Sequence, residues 1–513
     1  MTPNRETSNE PAVVATAKPG APLDMDQVRI DPSWALRVPP NLALRRQVLP
    51  FAAIDGQVYV ACADVADLGA IQAVQRLIDL PLRPERADPE SLRRALCRIF
   101  GDGKGPVVNI VPTRGRIDPR AAEADGKDAT GVCDEILQAA VVRQASDVHI
   151  DPYEDGVQIR FRVDGQLERY RKLPVSVQNG MVSRFKVLAE MDIAEKRAPQ
   201  DGRFTHRSAS TGQSVDIRVA TLPTKHGERM TLRLLALETQ SLTLERLGMS
   251  PRDLACFGDA IEKPHGMILL TGPTGSGKTT TLYAALRKLI AHEEWNIVTI
   301  EDPIEYGIPG VAQVEVDSAD KVSFGKALRS VLRHDPDVVM IGEIRDRETA
   351  DVAIKASLTG HLVLSTLHTN SAASVVTRLT DMGVDRYLTA ATLRLAVAQR
   401  LVRRLCAQCR KPRELTAAEA VALDRPEARG ATVYDPGGCM YCANRGYVGR
   451  LGLFEMLPFD EDLAREVVEG AEEAQLVARA RSKGVQRLND DAFEKLTAGV
   501  TTVRETLQAV TLW

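Results

Sequence analysis

The sequence predicts a multidomain α/β protein whose largest piece is a mostly parallel sheet covered by helices. Three observations lead there. From about residue 245 the apolar stretches MILLT, NIVTIE, DVVMIGE and HLVLSTLH alternate with helical patterns, as a sheet buried on both faces requires. The first of these, Met267 to Thr271, runs straight into a glycine-rich turn, Gly272 to Gly277, which opens another helical pattern. Ahead of this region, strands of alternating polarity with intervening helices mark a separate α+β domain.

At 513 residues, 44% hydrophobic and 26% charged, the chain holds about three or four domains of roughly 150 residues, each able to bury a core. Collagen, coiled-coil rods and wholesale disorder are excluded. Lys plus Arg number 66 and Asp plus Glu 69, a net charge of −3, so no overall positive field points to a nucleic-acid partner. No apolar run approaches the roughly 18 to 20 residues that span a bilayer, and the polar, Pro-rich start (Met1 to Asp26) has no apolar signal core. The expectation is a cytoplasmic protein without a membrane span. Eight cysteines are too sparse for a disulfide scaffold, and Cys62, Cys97, Cys133 and Cys256 read as small buried hydrophobes.

In chain order, residues 1–28 predict a disordered leader. Residues 29–104 form a small αβ module with a strand at QVYVACA (Gln57 to Ala63) and helices in 67–78 and 89–100. A linker follows at 105–128, with a short strand at Val107 to Val111. The α+β domain spans 129–242, with helices at Val132 to Ala145 and Val175 to Ala189 and strands at DVHID, VQIRFRVDG, SVDIRVATL and RMTLRLL. The parallel-sheet domain takes 243–404, a Cys-rich module 405–445, and a helical region 446–513.

Gly272, Pro273, Thr274, Gly275, Ser276, Gly277, Lys278 and Thr279 spell G-x4-G-K-T between a strand and a helix that begins at Thr280. The glycines let successive N–H groups aim at phosphate oxygens, and the helix N-terminus adds its dipole. Lys278 is placed to neutralise the β and γ phosphates of ATP, and Thr279 to ligate Mg²⁺. Hydrolysis also needs carboxylates. Ligands of parallel sheets sit beyond the carboxyl ends of strands, which favours Glu343 over Asp337 in DVVMIGE. Glu305 follows the strand ending in Glu301-Asp302-Pro303, where a solvated acidic loop is the alternative. His361 and His368 bracket one strand and point to opposite faces, so they cannot share a metal. His368 reads either as a γ-phosphate sensor or as a hydrogen-bonded core residue.

Cys406-x2-Cys409 and Cys439-x2-Cys442 are two knuckles able to close a tetrahedral Zn²⁺ shell. With no ligand position open, its role is structural. The segment between them is long enough for a helical hairpin of its own.

The motifs ASDVHIDP (Ala145 to Pro152), RAPQDGR (Arg197 to Arg203), LPTKHGER (Leu222 to Arg229), GPTGSGKTT, TIEDPIEY, DPDVVMIGEIRD and TGHLVLSTLHTN occur in one order, and from about residue 30 onward the chain resembles the secretion ATPase family of type II secretion and type IV pilus assembly. That resemblance implies a RecA-like P-loop motor preceded by a PAS-like α+β domain, with ATP between them. It makes Glu305 the catalytic glutamate, Glu343 the Walker B acid and His361 with His368 the histidine box, and it assigns Arg218, Arg233, Arg329 and Arg333 to the nucleotide phosphates. It further implies a homohexamer, peripheral on the cytoplasmic face of the inner membrane, with the N-terminal module docked on the cytoplasmic domain of a bitopic platform protein and a polytopic platform protein nearby. HGER (His226 to Arg229) and the compact N-terminal module favour secretion, with pilus assembly the alternative. A DNA translocase is disfavoured by the near-neutral charge.

Overall fold

The computed structural model describes residues 22–100, 129–207, 214–235, 243–291, 295–316 and 323–510. The strand expected at 107–111 lies outside them. The chain divides into two compact units, one built from Met1–Leu234, Leu405–Pro412 and Asp435–Val448, the other from Leu235–Arg404, Arg413–Tyr434 and Gly449–Trp513.

In the first unit, β1 (Val48–Ile54) and β2 (Gln57–Cys62) form an antiparallel hairpin, and β3 (Leu82–Arg86) pairs parallel to β2. The hairpin turns at Asp55-Gly56, both at positive φ, which suits an Asp-Gly turn. Helix Pro89–Phe100 buries Leu92 and Leu96 against Leu49, Phe51 and Val60. Of the leader expected over 1–28, residues 1–21 lie outside the described residues, while Leu23, Met25 and Val28 are buried in this core and the Leu23 N–H bonds Arg86 O.

The same unit contains an antiparallel sheet of six strands, β4 (Asp147–Tyr153), β5 (Gly156–Val163), β6 (Gln166–Leu173), β7 (Gln200–Arg207), β8 (Ser214–Thr224) and β9 (Gly227–Leu234), in the order β6-β5-β4-β9-β8-β7. Val215, Ile217 and Val219 of β8 are buried in alternation, the period of a sheet with one covered face. Its helices, Ala129–Val142 and Val175–Leu188, bring Lys186 to Glu228 at 2.6 Å, a pair only 1% and 6% exposed.

The second unit is organised on seven strands. They are β10 (Gly266–Thr271), β11 (Ile297–Glu301), β12 (Ala312–Glu315), β13 (Val338–Ile341), β14 (Leu362–Leu367), β15 (Leu393–Leu405) and, after two short strands, β18 (Tyr447–Pro458), ordered β12-β11-β13-β14-β10-β15-β18. Pairing from β12 through β15 is parallel. Every residue of β10, β11, β13 and β14 is buried, which is why these strands read as uninterrupted apolar runs. The helical pattern expected over 446–513 begins later than predicted. Tyr447–Pro458 is a strand, with Leu453, Phe454, Met456 and Leu457 buried, and four helices follow from Glu461.

The stretch between the Cys pairs is not a helical hairpin. It runs β16 (Lys411–Glu414), helix Ala417–Ala422 and β17 (Thr432–Asp435), the two strands pairing with each other. Its Leu415, Leu423 and Val433 pack with Leu496 and Val503. The knuckles therefore belong to the first unit and the segment between them to the second. An apolar side of its own drew that segment into the core of the C-terminal helices.

Candidate functional site

Strands β11, β13, β14 and β10 are consecutive in the sheet and parallel, so the loops after them leave one edge. Those loops carry Glu305, Glu343, His368 and the glycine-rich turn. The geometry is the one in which an open α/β sheet binds its ligand.

The turn between β10 and helix Lys278–Ile290 depends on its glycines. Gly272 has φ +146° and an ideal Cβ there would stand 2.4 Å from Gln399 O and 2.8 Å from Ser276 Oγ, so only glycine fits. Gly277, at φ +90°, caps the helix. Lys278 is buried, and its Nζ donates to Gly272 O at 2.7 Å and Pro273 O at 3.2 Å. Burial pushes the ammonium down to about 8, with Glu343 opposing the shift and Arg400 adding to it. Thr279 is exposed on the first helical turn and Thr280 half-buried beside it.

Glu343 ends the β13 loop, where its Oε2 lies 3.3 Å from His368 Nε2 and it pairs with Arg345. His368 is half-exposed, so among the two readings of this residue the structure disfavours a core role. His361 does something different. Its Nδ1 lies 2.9 Å from Ala356 O and 3.2 Å from Thr359 Oγ1, at the end of helix Arg347–Leu358.

Glu305 lies in the loop after β11, whose base is a buried polar knot. Glu301 is 3% exposed. Its carboxylate accepts from Tyr283 Oη, from Thr299 Oγ1 at 2.7 Å and from Gln313 Nε2 at 3.0 Å. Gln313 in turn accepts from Ile308 N–H (2.7 Å) and donates to Tyr306 O (3.2 Å), and Glu305 N–H points at the Tyr283 hydroxyl from 3.4 Å. Burial, then Glu301, raises the Tyr283 phenol above its usual range, so it stays a donor.

The remaining predicted residues fall elsewhere. Arg329, on helix Phe324–Val331, pairs with Glu348 at 2.7 Å, and Arg333 donates to Arg329 O. They line a groove with Arg347, Asp351 and Lys355 that includes no residue of the glycine-rich turn. Arg329 is paired with a local carboxylate, while Arg333 donates to backbone and to Ser330 Oγ. Arg218 and Arg233 stand on the six-stranded sheet of the first unit. There the register puts Arg203, Arg218, Arg233, Asp147 and Arg162 in one row across β7, β8, β9, β4 and β5. Asp147 holds Arg233 at 3.0 Å and Arg162 at 3.7 Å. Like charges directly opposite on neighbouring strands repel, and this row sets Arg203, Arg218 and Arg233 side by side.

Sequence reasoning missed Arg203, Arg345, Arg400 and the Tyr283–Glu301 knot. Arg203 stood in the motif RAPQDGR, and its two-residue periodicity with the sheet could have found it. Arg345 stood two residues after Glu343 in the motif DPDVVMIGEIRD, whereas Arg400 and the Tyr283–Glu301 knot depend on segments that meet only in the fold.

The four cysteines converge. Their Sγ atoms all lie within 4.8 Å of one another, with Cys406–Cys439 at 3.7 Å and Cys409–Cys442 and Cys439–Cys442 at 3.8 Å. A tetrahedron with metal–sulfur bonds of about 2.3 Å has edges of about 3.8 Å, so the cluster fits Zn²⁺. Gly446 N–H donates to Cys442 Sγ at 3.1 Å, as thiolate ligands favour. Burial, then Cys442 and Cys439, pushes the Cys409 thiol up to about 12, crowding that a divalent cation would relieve. Met440 and Tyr441, inside the second knuckle, pack on the N-terminal module, and Arg29 N–H donates to Tyr441 O at 2.7 Å.

Against known proteins, residues 123–508 match the family model "Type II/IV secretion system protein", and residues 18–106 match the "MshEN domain". The chain is 41% identical to "Type II secretion system protein E" of Pseudomonas aeruginosa over 92% of this chain and 96% of that protein. It is 39% identical to "Type IV pilus assembly ATPase PilB" of Myxococcus xanthus over 94% of this chain and 88% of that one. Among solved structures, the pilus retraction motor PilT with bound ADP aligns with a TM-score of 0.52 and 26% identity, covering 73% of this chain and 96% of PilT.

Proposed function

From the premise that this chain belongs to the type II/IV secretion system protein family, we propose that it is an ATPase that powers type II protein secretion by driving assembly of a periplasmic pseudopilus. The observation that carries the reading is the meeting at one sheet edge of the glycine-rich turn, Lys278, Glu343 and His368, on a chain matched by secretion proteins along nearly its whole length.

In this reading the N–H groups of Gly272 to Thr279 cradle the phosphates of ATP, and Lys278 leaves its carbonyl partners to neutralise them. Thr279 and, through water, Glu343 would hold Mg²⁺, which would offset the charge of the phosphates. Glu305 orients the attacking water, and His368, restrained by Glu343, reports on the γ phosphate. Arg218 and Arg233, with Arg203, serve the nucleotide phosphates. The active form is a homohexamer on the cytoplasmic face of the inner membrane. Its N-terminal module docks on the cytoplasmic domain of a bitopic platform protein, near a polytopic one. The zinc module is structural.

Pilus assembly is the second reading, favoured by the 39% identity to a pilus assembly ATPase. Two experiments test the pair. Lys278→Ala should lose nucleotide binding and hydrolysis together, while Glu305→Gln should bind ATP and lose most turnover. Deleting the gene in its source should then abolish export of folded proteins and spare surface pili. Native turnover in Glu305→Gln refutes the catalytic assignment, and loss of pili with intact export selects the second reading.

A further inference from the structure

Beneath the glycine-rich turn, β15 carries Gln399 and Arg400, which are 2% and 6% exposed. They touch the turn at both ends. The ideal Cβ of Gly272 would stand 2.9 Å from Arg400 Nη1, and that of Gly277 2.9 Å from Gln399 Nε2. Gln399 Oε1 accepts from Thr281 Oγ1 at 2.9 Å, on the first turn of the following helix. The guanidinium donates to Gln399 O at 3.0 Å and, through Nη2, to Asn370 O at 3.1 Å, two residues beyond His368. The guanidinium thus stands beside Gly272 and is tied to the loop that carries His368.

Its charge is unbalanced. Among the described residues no carboxylate lies within ion-pair distance of Arg400, and its buried Nε has no hydrogen-bond partner. Glu455 is the carboxylate that acts on it electrostatically, but its oxygens are taken by the N–H groups of Ala372 and Leu488. An isolated buried cation costs several kcal/mol, more than a purely structural brace would need, since a neutral donor could serve the same two carbonyls. Ser276 Oγ, also buried and unpartnered, lies against the same glycine.

We propose that Arg400 is a positioning residue of the nucleotide site, a buried cation that packs against Gly272 of the phosphate loop, is held by the loop after β14, and has its charge balanced by the nucleotide phosphates. The inference rests on the ATP-binding reading above. It accounts for the missing counter-ion, because a polyphosphate seated in the turn lies across one glycine from the guanidinium, where a low dielectric makes the attraction strong. It also accounts for Gly272 at φ +146°, where any side chain would separate the two.

The test uses the full-length chain with a fluorescent ATP and a fluorescent ADP, alongside steady-state hydrolysis and thermal unfolding. Arg400→Met removes charge and grip, and should weaken ATP at least tenfold and ADP less, because the lost term scales with phosphate charge. Arg400→Lys keeps the charge but cannot span both carbonyls. It should hold ATP affinity within about threefold of wild type while kcat falls at least fivefold. A folded Arg400→Met protein with wild-type ATP affinity, or equal losses for ATP and ADP, overturns the proposal. If Arg400→Met does not fold, Arg400→Lys decides alone, and wild-type kcat and KM in that variant overturn it. Failure of the wild-type chain to bind any nucleotide is a separate result, which refutes the ATP-binding reading instead.

Discussion

Replacing Tyr283 by Phe removes one oxygen and no packing volume, so it isolates the hydroxyl that serves both Glu301 and the Glu305 backbone. Glu301 is buried, and the phenol is one of three donors it has, with Thr299 Oγ1 at 2.7 Å and Gln313 Nε2 at 3.0 Å. A hydrogen bond to a charged group contributes about 1.5 to 3 kcal/mol; the two donors left behind both bond Oε1, so Oε2 loses the donor shown for it, and we expect about 2 kcal/mol. The bond from Glu305 N–H is long at 3.4 Å and adds little. If the loss falls on local opening of β11 and its loop, about 2 kcal/mol corresponds to a roughly thirtyfold rise in amide exchange over residues 297–308. Hydrogen exchange by mass spectrometry reads this directly. The loop keeps its second tether through Gln313 to Ile308 and Tyr306, so kcat should fall only about three- to tenfold. ATP affinity should stay unchanged because the glycine-rich turn is untouched. Unaltered exchange over 297–308 with native kcat would show that the knot does not position Glu305.

Other outcomes follow from the same contacts. Lys278 sits at about 8 against an ordinary 10.5, so the folded chain binds fewer protons than the unfolded one between those values and stability should rise with pH across that window. Phosphates brought to the ammonium should reverse the shift, so ATP binding near pH 8.5 should take up a proton, seen as buffer-dependent heats in calorimetry and absent at pH 6.5. Lys186→Met leaves Glu228 buried without its partner and should cost about 3 to 5 kcal/mol in urea unfolding of the first unit, partly restored by adding Glu228→Gln. The purified protein should contain one zinc per chain. Cys439→Ser should lose it and raise exchange in residues 22–100, where Met440 and Tyr441 pack, while the seven-stranded sheet stays protected. Zinc-free protein with unchanged exchange in that module would refute the clamp.

What the sequence determined by itself is local. Gly272 to Thr279 sits between a strand and a helix, and three glycines in that spacing have few other uses, so the turn and Lys278 were legible as chemistry. The four buried central strands were legible too, because residues covered on both faces must be apolar without alternation. The two C-x2-C pairs were legible as a candidate metal site from their spacing. Tertiary structure decided the rest, for reasons that no window of sequence contains. Tyr447–Pro458 became an edge strand of the large sheet because its apolar residues found a partner in β15, some 50 residues earlier, where a local reading saw only the start of a helical region. The segment between the knuckles left the cysteine cluster for the core formed by Leu496 and Val503. Arg329 met Glu348, and Arg400 met Gly272, through packing between elements far apart in the chain. Backbone preference acts over a few residues, so it writes turns, strands and ligand spacings into the sequence. Burial and charge pairing act across space, so which arginine meets a carboxylate and which does not is settled only when the chain has folded.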